Sequence, residues 1–116
     1  MKMSRNKGAR GEVELAHELA RVFGVAARRG RQYSGTPDSP DVVADLPGVH
    51  IECKRTEKLR LWDALAQSKR DAAPDEVPLV VHRANRKPWI VVVELGRLPE
   101  LAEKIAERMR DGRVPG

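Results

Sequence analysis

Val49-His50-Ile51-Glu52-Cys53-Lys54 is the stretch on which the fold turns. Side chains along a strand alternate between faces, so Val49, Ile51 and Cys53 share an apolar face suited to a core. His50, Glu52 and Lys54 share the other, with Glu52 and Lys54 about 7 Å apart along the strand. A carboxylate beside an ammonium on one strand face is the raw material of a hydrolytic site. It is equally the description of a surface ion pair, and this stretch alone does not separate the two.

The flanking sequence adds carboxylates. Asp41 to Asp45 (DVVAD) reads as a short strand, and Leu46-Pro47-Gly48 as a turn, so Val49 to Arg55 returns beside it as a hairpin. The hairpin brings Asp41 next to Glu52, and two carboxylates on adjacent strands make a hard-oxygen pocket that suits Mg²⁺. A turn-initiating Asp after Pro40 is the alternative reading of Asp41. Upstream, Ala9 to Phe23 has helical spacing, with Val13, Ala16, Leu19, Ala20 and Phe23 on one side and Gly24 at the stop. Glu12 projects with Ala16, Leu19 and Phe23, where a charge is costly without a partner. Glu14 projects with Glu18 and Arg21 on the polar side. Glu12 is thus a third candidate carboxylate, although the helix dipole also favours a glutamate in a first turn.

Beyond the hairpin, residues 61–73 read as a helix ended by Pro74. Pro78 to His82 and Trp89 to Glu94 read as apolar strands buried on both faces, joined by a turn at 84–88. Pro99 to Arg110 reads as an amphipathic helix. With Val25 to Arg29 as a further short strand after the first helix, the predicted order is α-β-β-β-α-β-β-α, a single α/β domain over residues 1–116 with a central mixed five-stranded sheet flanked by helices. Residues 1–7 read as a flexible basic arm and residues 30–39 (GRQYSGTPDS) as a mobile loop.

Lys and Arg number 22 against 17 Asp and Glu, a net charge of +5, which is what a phosphate-binding protein needs. With only four aromatic residues, a stacking platform for single strands is excluded. The single cysteine, Cys53, excludes an internal disulfide or a cysteine-rich zinc site and fits a reducing, cytoplasmic setting. No apolar run approaches the length of a membrane span.

Taken together, Asn6-Lys7-Gly8-Ala9-Arg10-Gly11-Glu12, Pro40-Asp41-Val42-Val43-Ala44 and Ile51-Glu52-Cys53-Lys54 resemble the PD-(D/E)XK nuclease superfamily. Within it, the likeness is to the archaeal-type Holliday junction resolvases, including phage versions. The Glu-x-Lys signature alone is weak; the three segments in this order and spacing are fairly specific. The resemblance implies a restriction-endonuclease-like fold, a homodimer, and cleavage that leaves 5′-phosphate ends. It implies that Asp41, Glu52 and the Cys53 backbone carbonyl hold Mg²⁺, with Mn²⁺ as a substitute. It further implies that Lys54 orients or activates the attacking water, and that Glu12 holds a metal-bound water or a second ion. A second Pro-Asp pair, Pro37-Asp38, competes with Asp41, which is preferred because a strand follows it. Gln67 falls where several superfamily members place a glutamine near the metal; an exposed helical glutamine is the other reading.

Basic residues gather around this constellation: Lys7, Arg10, Arg28, Arg29, Arg31, Arg55 and Lys58, with Ser34 in the loop. They are candidate phosphate contacts, which position DNA without reading bases. The expected partner is branched DNA, a four-way junction whose approximate two-fold symmetry matches a dimer. Two alternatives stay open: another nuclease of the superfamily acting on flaps, ends or a specific site, and a non-catalytic DNA-binding module.

Overall fold

The computed structural model describes residues 2–30 and 41–111, with side chains from Gly8 onward. The candidate loop, with Arg31, Ser34 and Asp38, lies almost entirely outside the described residues, and so does the side chain of Lys7. Elements follow in the order α1 (Lys2–Phe23), β1 (Ala27–Arg29), β2 (Val42–Ala44), β3 (Val49–Arg55), α2 (Leu61–Asp71), β4 (Val77–Arg83), β5 (Ile90–Val92) and α3 (Leu98–Asp111), with a single 3₁₀ turn before α3. The order is the predicted one. Helix α1 begins at Lys2, so the backbone of residues 2–7 continues the helix where the sequence suggested a flexible arm.

The five strands form one mixed sheet in spatial order β1-β2-β3-β4-β5. The first three form an antiparallel meander, and β4–β5 is antiparallel as well. Only β3 and β4 run parallel, with Ile51 opposite Leu79 and Glu52 opposite Val80. Parallel neighbours require a crossover, and α2 supplies it.

Alternation along β3 and β4 divides the molecule into two layers. Ile51, Val77, Leu79 and Val81 join Leu15, Ala16 and Leu19 of α1 and Leu101 of α3 in the larger core, with Val42 from β2. Val49 and Cys53 pack against the same cluster, as the strand reading required. Val80 faces the other way, onto Ala64 and Leu65 of α2. Val13, expected on the inner side of α1, is exposed.

Two backbone features set α1 in place. Gly24, at φ 66°, donates its N–H to the Ala20 carbonyl and ends the helix in the left-handed conformation that glycine adopts without strain. Gly11 lies flat against β3: a Cβ there would come within 2.6 Å of Arg55 Cβ. The absence of a side chain lets the start of α1 press onto the strand that carries Glu52.

The prediction for the last two strands needs correction. β4 is buried on both faces, but in β5 Ile90 and Val91 are 49% and 53% exposed. An apolar run cannot show that its strand lies at a sheet edge, and β5 is that edge. No described helix is long and apolar enough to cross a membrane.

Candidate functional site

The β2–β3 hairpin does what its spacing promised. Val42 pairs with Ile51, and the Asp41 N–H donates to the Ile51 carbonyl. One step along this antiparallel register, Asp41 stands beside Glu52. The Cys53 N–H donates to Asp41 Oδ2 at 2.9 Å, fixing that carboxylate against β3.

Glu52 is only 2% exposed, beneath α2. Burial pushes the Asp41 carboxyl up to about 7, and the neighbouring Glu52 carboxylate adds to the rise. The Cys53 N–H opposes the shift, and Glu12 adds a smaller push upward. Asp41 therefore ionises less readily here than a solvated carboxyl does. Two carboxylates crowded in this way suit a cation between them.

Lys54 extends from the same face, its Nζ 3.9 Å from Glu52 Oε2 and 3.4 Å from Gln67 Oε1. Gln67, offered by the sequence either as a residue near the metal or as a bystander, thus tethers the lysine. Beside them lies a cleft lined by Lys54, Lys58, Arg60 and Gln67.

Glu12 is more sheltered than Glu14, its side chain 19% exposed against 37%. Arg29 Nε donates to it at 2.6 Å. Glu14 serves a different purpose, gripping Arg83 and Arg55 and so joining α1 to the ends of β3 and β4. Arg29 and Arg55 were expected to face DNA phosphates. Arg29 pairs with Glu12 while its side chain stays 54% exposed, whereas the Arg55 side chain is largely buried between Glu14 and Asn85. Arg10, Arg28 and Lys58 are exposed.

The Cys53 thiol, packed on the core side, is pushed up to about 12 by burial and by the surrounding carboxylates, Asp41 first. A thiol held protonated in this way is not a nucleophile at neutral pH.

Sequence reasoning missed His50. It shares the face of Glu52 and Lys54 but is only 1% exposed, because α2 and the turn after it close over that end of the sheet. Its Nε2 lies 3.9 Å from Glu52 Oε1, too far for a hydrogen bond, and its Nδ1 lies 3.7 Å from Glu76 Oε1. Burial works against the imidazolium, but Glu52 and Glu76 outweigh it and hold the His50 pKa above its ordinary value, with Asp71 adding to their effect. The signal available in the sequence was a histidine in register with the acidic pair; its neighbours came from α2, which the strand pattern does not reveal.

No protein-family model and no curated protein matches the chain. Among solved structures, the chain is similar to Archaeoglobus fulgidus Hjc, a Holliday junction resolvase from an archaeal hyperthermophile. The match has 30% sequence identity and a TM-score of 0.56, and it covers 75% of this chain and 72% of that one.

Proposed function

Because the chain belongs to the Holliday junction resolvase family, we propose that it is a metal-dependent endonuclease that resolves four-way DNA junctions with paired nicks made by a homodimer. The observation that carries this reading is the pairing of half-buried Asp41 with buried Glu52, with Lys54 on the same strand face as Glu52.

The residues suit a hard divalent cation. Two carboxylates that burial disfavours as a doubly ionised pair gain the most from a positive charge between them. Asp41, Glu52 and the carbonyl of Cys53 would hold Mg²⁺, or Mn²⁺ in its place. Within an antiparallel pair, the N–H and C=O of a residue face the same neighbour, and the Cys53 N–H already faces Asp41. Bound there, the cation would lower the pKa of a water and stabilise charge on the phosphoryl oxygens.

The chain's own groups do the rest. Lys54, steadied by Gln67, presents an ammonium to the phosphate and to the attacking water. Glu12, whose charge acts on Asp41 from α1, would accept a hydrogen bond from a water in the site. Arg10, Arg28 and Lys58 are the exposed cations that position DNA backbone; Lys7, Arg31 and Ser34 would extend that surface. The products would be 5′-phosphate and 3′-hydroxyl ends. A homodimer is supported by the exposed apolar edge of β5, since an uncovered edge strand invites pairing with another chain.

The test is cleavage of a labelled four-way junction in Mg²⁺, set against matched duplex, flap and single-stranded DNA. Paired symmetric nicks in the junction alone are expected. Preference for another substrate would replace the junction with that DNA structure, and binding without cleavage in both Mg²⁺ and Mn²⁺ would remove the nuclease reading. Light scattering should give twice the 13.0 kDa chain mass; a monomer that still makes paired nicks would overturn the dimer.

A further inference from the structure

Glu52 has two oxygens and two sets of neighbours. Oε2 faces Lys54, whereas Oε1 faces His50. On the His50 side, the imidazole is almost wholly buried, yet its Nε2 has no hydrogen-bond partner among the described residues. A buried polar nitrogen left unpaired is costly and calls for an occupant. Asp71, half-buried at the end of α2, completes a group in which one ligand atom each from His50, Glu52 and Asp71 lies within 4.8 Å of the others.

The opposite edge of the ring has a carboxylate at ion-pair distance, close to the arrangement of metal-bound histidines. Such a histidine typically turns its second nitrogen to a carboxylate, which fixes the ring and its tautomer. Here Nδ1 points to Glu76, 3.7 Å away, and Glu76 Oε1 is itself held by the Ala73 N–H at 2.8 Å. That leaves Nε2, without a hydrogen-bond partner and 3.9 Å from Glu52 Oε1, as the nitrogen free to ligate.

We propose that His50 Nε2, Glu52 and Asp71 form a second cation site, for a first-row transition ion of the Zn²⁺ class, on the α2 side of Glu52. The mixed nitrogen and oxygen donors favour such an ion over Mg²⁺, which prefers oxygen alone. Bonds of about 2.0–2.2 Å would bring tetrahedral ligand atoms to about 3.4 Å apart. Small rotations of Glu52 and Asp71 supply that contraction. Glu52 then joins the two centres, and only in this sharing does the site rest on the proposed nuclease centre.

The experiment is Zn²⁺ titration of full-length Asp41→Asn protein, which lacks a ligand of the nuclease centre, followed through the imidazole ¹⁵N resonances. The expected result is one Zn²⁺ per chain and a large shift of His50 Nε2, while the Nε2 of His82, bonded to the Thr56 carbonyl, stays in place. Asp71→Asn in the same background should abolish the shift, and Glu76→Gln should weaken binding about 10–100-fold. Both residues lie outside the core, so these variants report even if His50→Gln fails to fold. A His50 Nε2 resonance that ignores Zn²⁺, or one that responds equally in the Asp71→Asn protein, would overturn the site. Neither result depends on DNA cleavage, so failure here is distinct from failure of the resolvase reading.

Discussion

The two faces of β3 perform different tasks with the same backbone. Toward α1 and α3, Ile51 meets Leu15, Leu19 and Leu79 in an apolar core. Toward α2, His50, Glu52 and Lys54 stand in a row, two of them almost fully buried. The first face stabilises the fold by removing hydrocarbon from water. The second places a histidine and a glutamate out of water, where they are costly. The contrast teaches that the charged face is costly on its own, with the apolar face making it tolerable; a bound cation, as proposed, would offset that cost.

Substitutions on each face should separate these tasks. The largest effect is expected from Asp41→Asn: junction cleavage should fall about 10³-fold or more, about 4 kcal/mol in the barrier. Binding measured by gel shift should persist, since the basic surface is untouched. Full activity would remove Asp41 from the site. The same variant should make the metal-free protein more stable at neutral pH. Asp41 has its folded pKa raised to about 7 from 3.8. The folded state therefore holds a proton between those values that the unfolded state has lost, and metal-free stability falls as pH rises through that window. The amide of the variant cannot ionise, so its urea melts at pH 5 and pH 8 should differ less than those of the wild type.

Ile51→Ala strikes the apolar face. It should lower unfolding free energy by about 2–4 kcal/mol in urea, while the cleavage rate per folded molecule changes little. A rate loss as large as that of Asp41→Asn would show that the faces are not separable. Gly11→Ala, at the seam, should cost about 1–3 kcal/mol through overpacking against Arg55. It should also slow cleavage by displacing Glu12, which binding alone would not report.

Glu12 and Glu14 of α1 give the finest comparison. Glu12→Gln should reduce cleavage without a matching loss of stability. Glu14→Gln should spare cleavage and cost about 1 kcal/mol or less, because its pairs with Arg55 and Arg83 are partly exposed. Equal losses of activity would dissolve the distinction between them.

Much of this was legible in the sequence. Alternation alone separates Ile51 from Glu52, and a short turn puts Asp41 beside it. Helix periodicity tells Glu12 from Glu14. What remained hidden depends on which element covers which. Nothing local to VHIECK shows α2 closing over His50, and nothing in WIVVVE marks it as an edge. Nor does a run of cations tell which members face solvent: Arg55 turns inward to Glu14, a partner that only the fold brings near, whereas Arg29 stays exposed beside Glu12.

The hairpin that joins Asp41 to Glu52 also bears on how the molecule is assembled. Its strands are linked only by Asp45 to Gly48, so the entropy lost in closing it is small. The pairing of β3 with β4 must wait for a whole helix to cross over. The acidic pair is therefore among the cheapest long-lived encounters the unfolded chain can make, and Glu12 and the α2 residues arrive at a centre already formed. Folding rates should then respond to changes in the hairpin turn more than to changes in α3, because contacts between nearby residues form first.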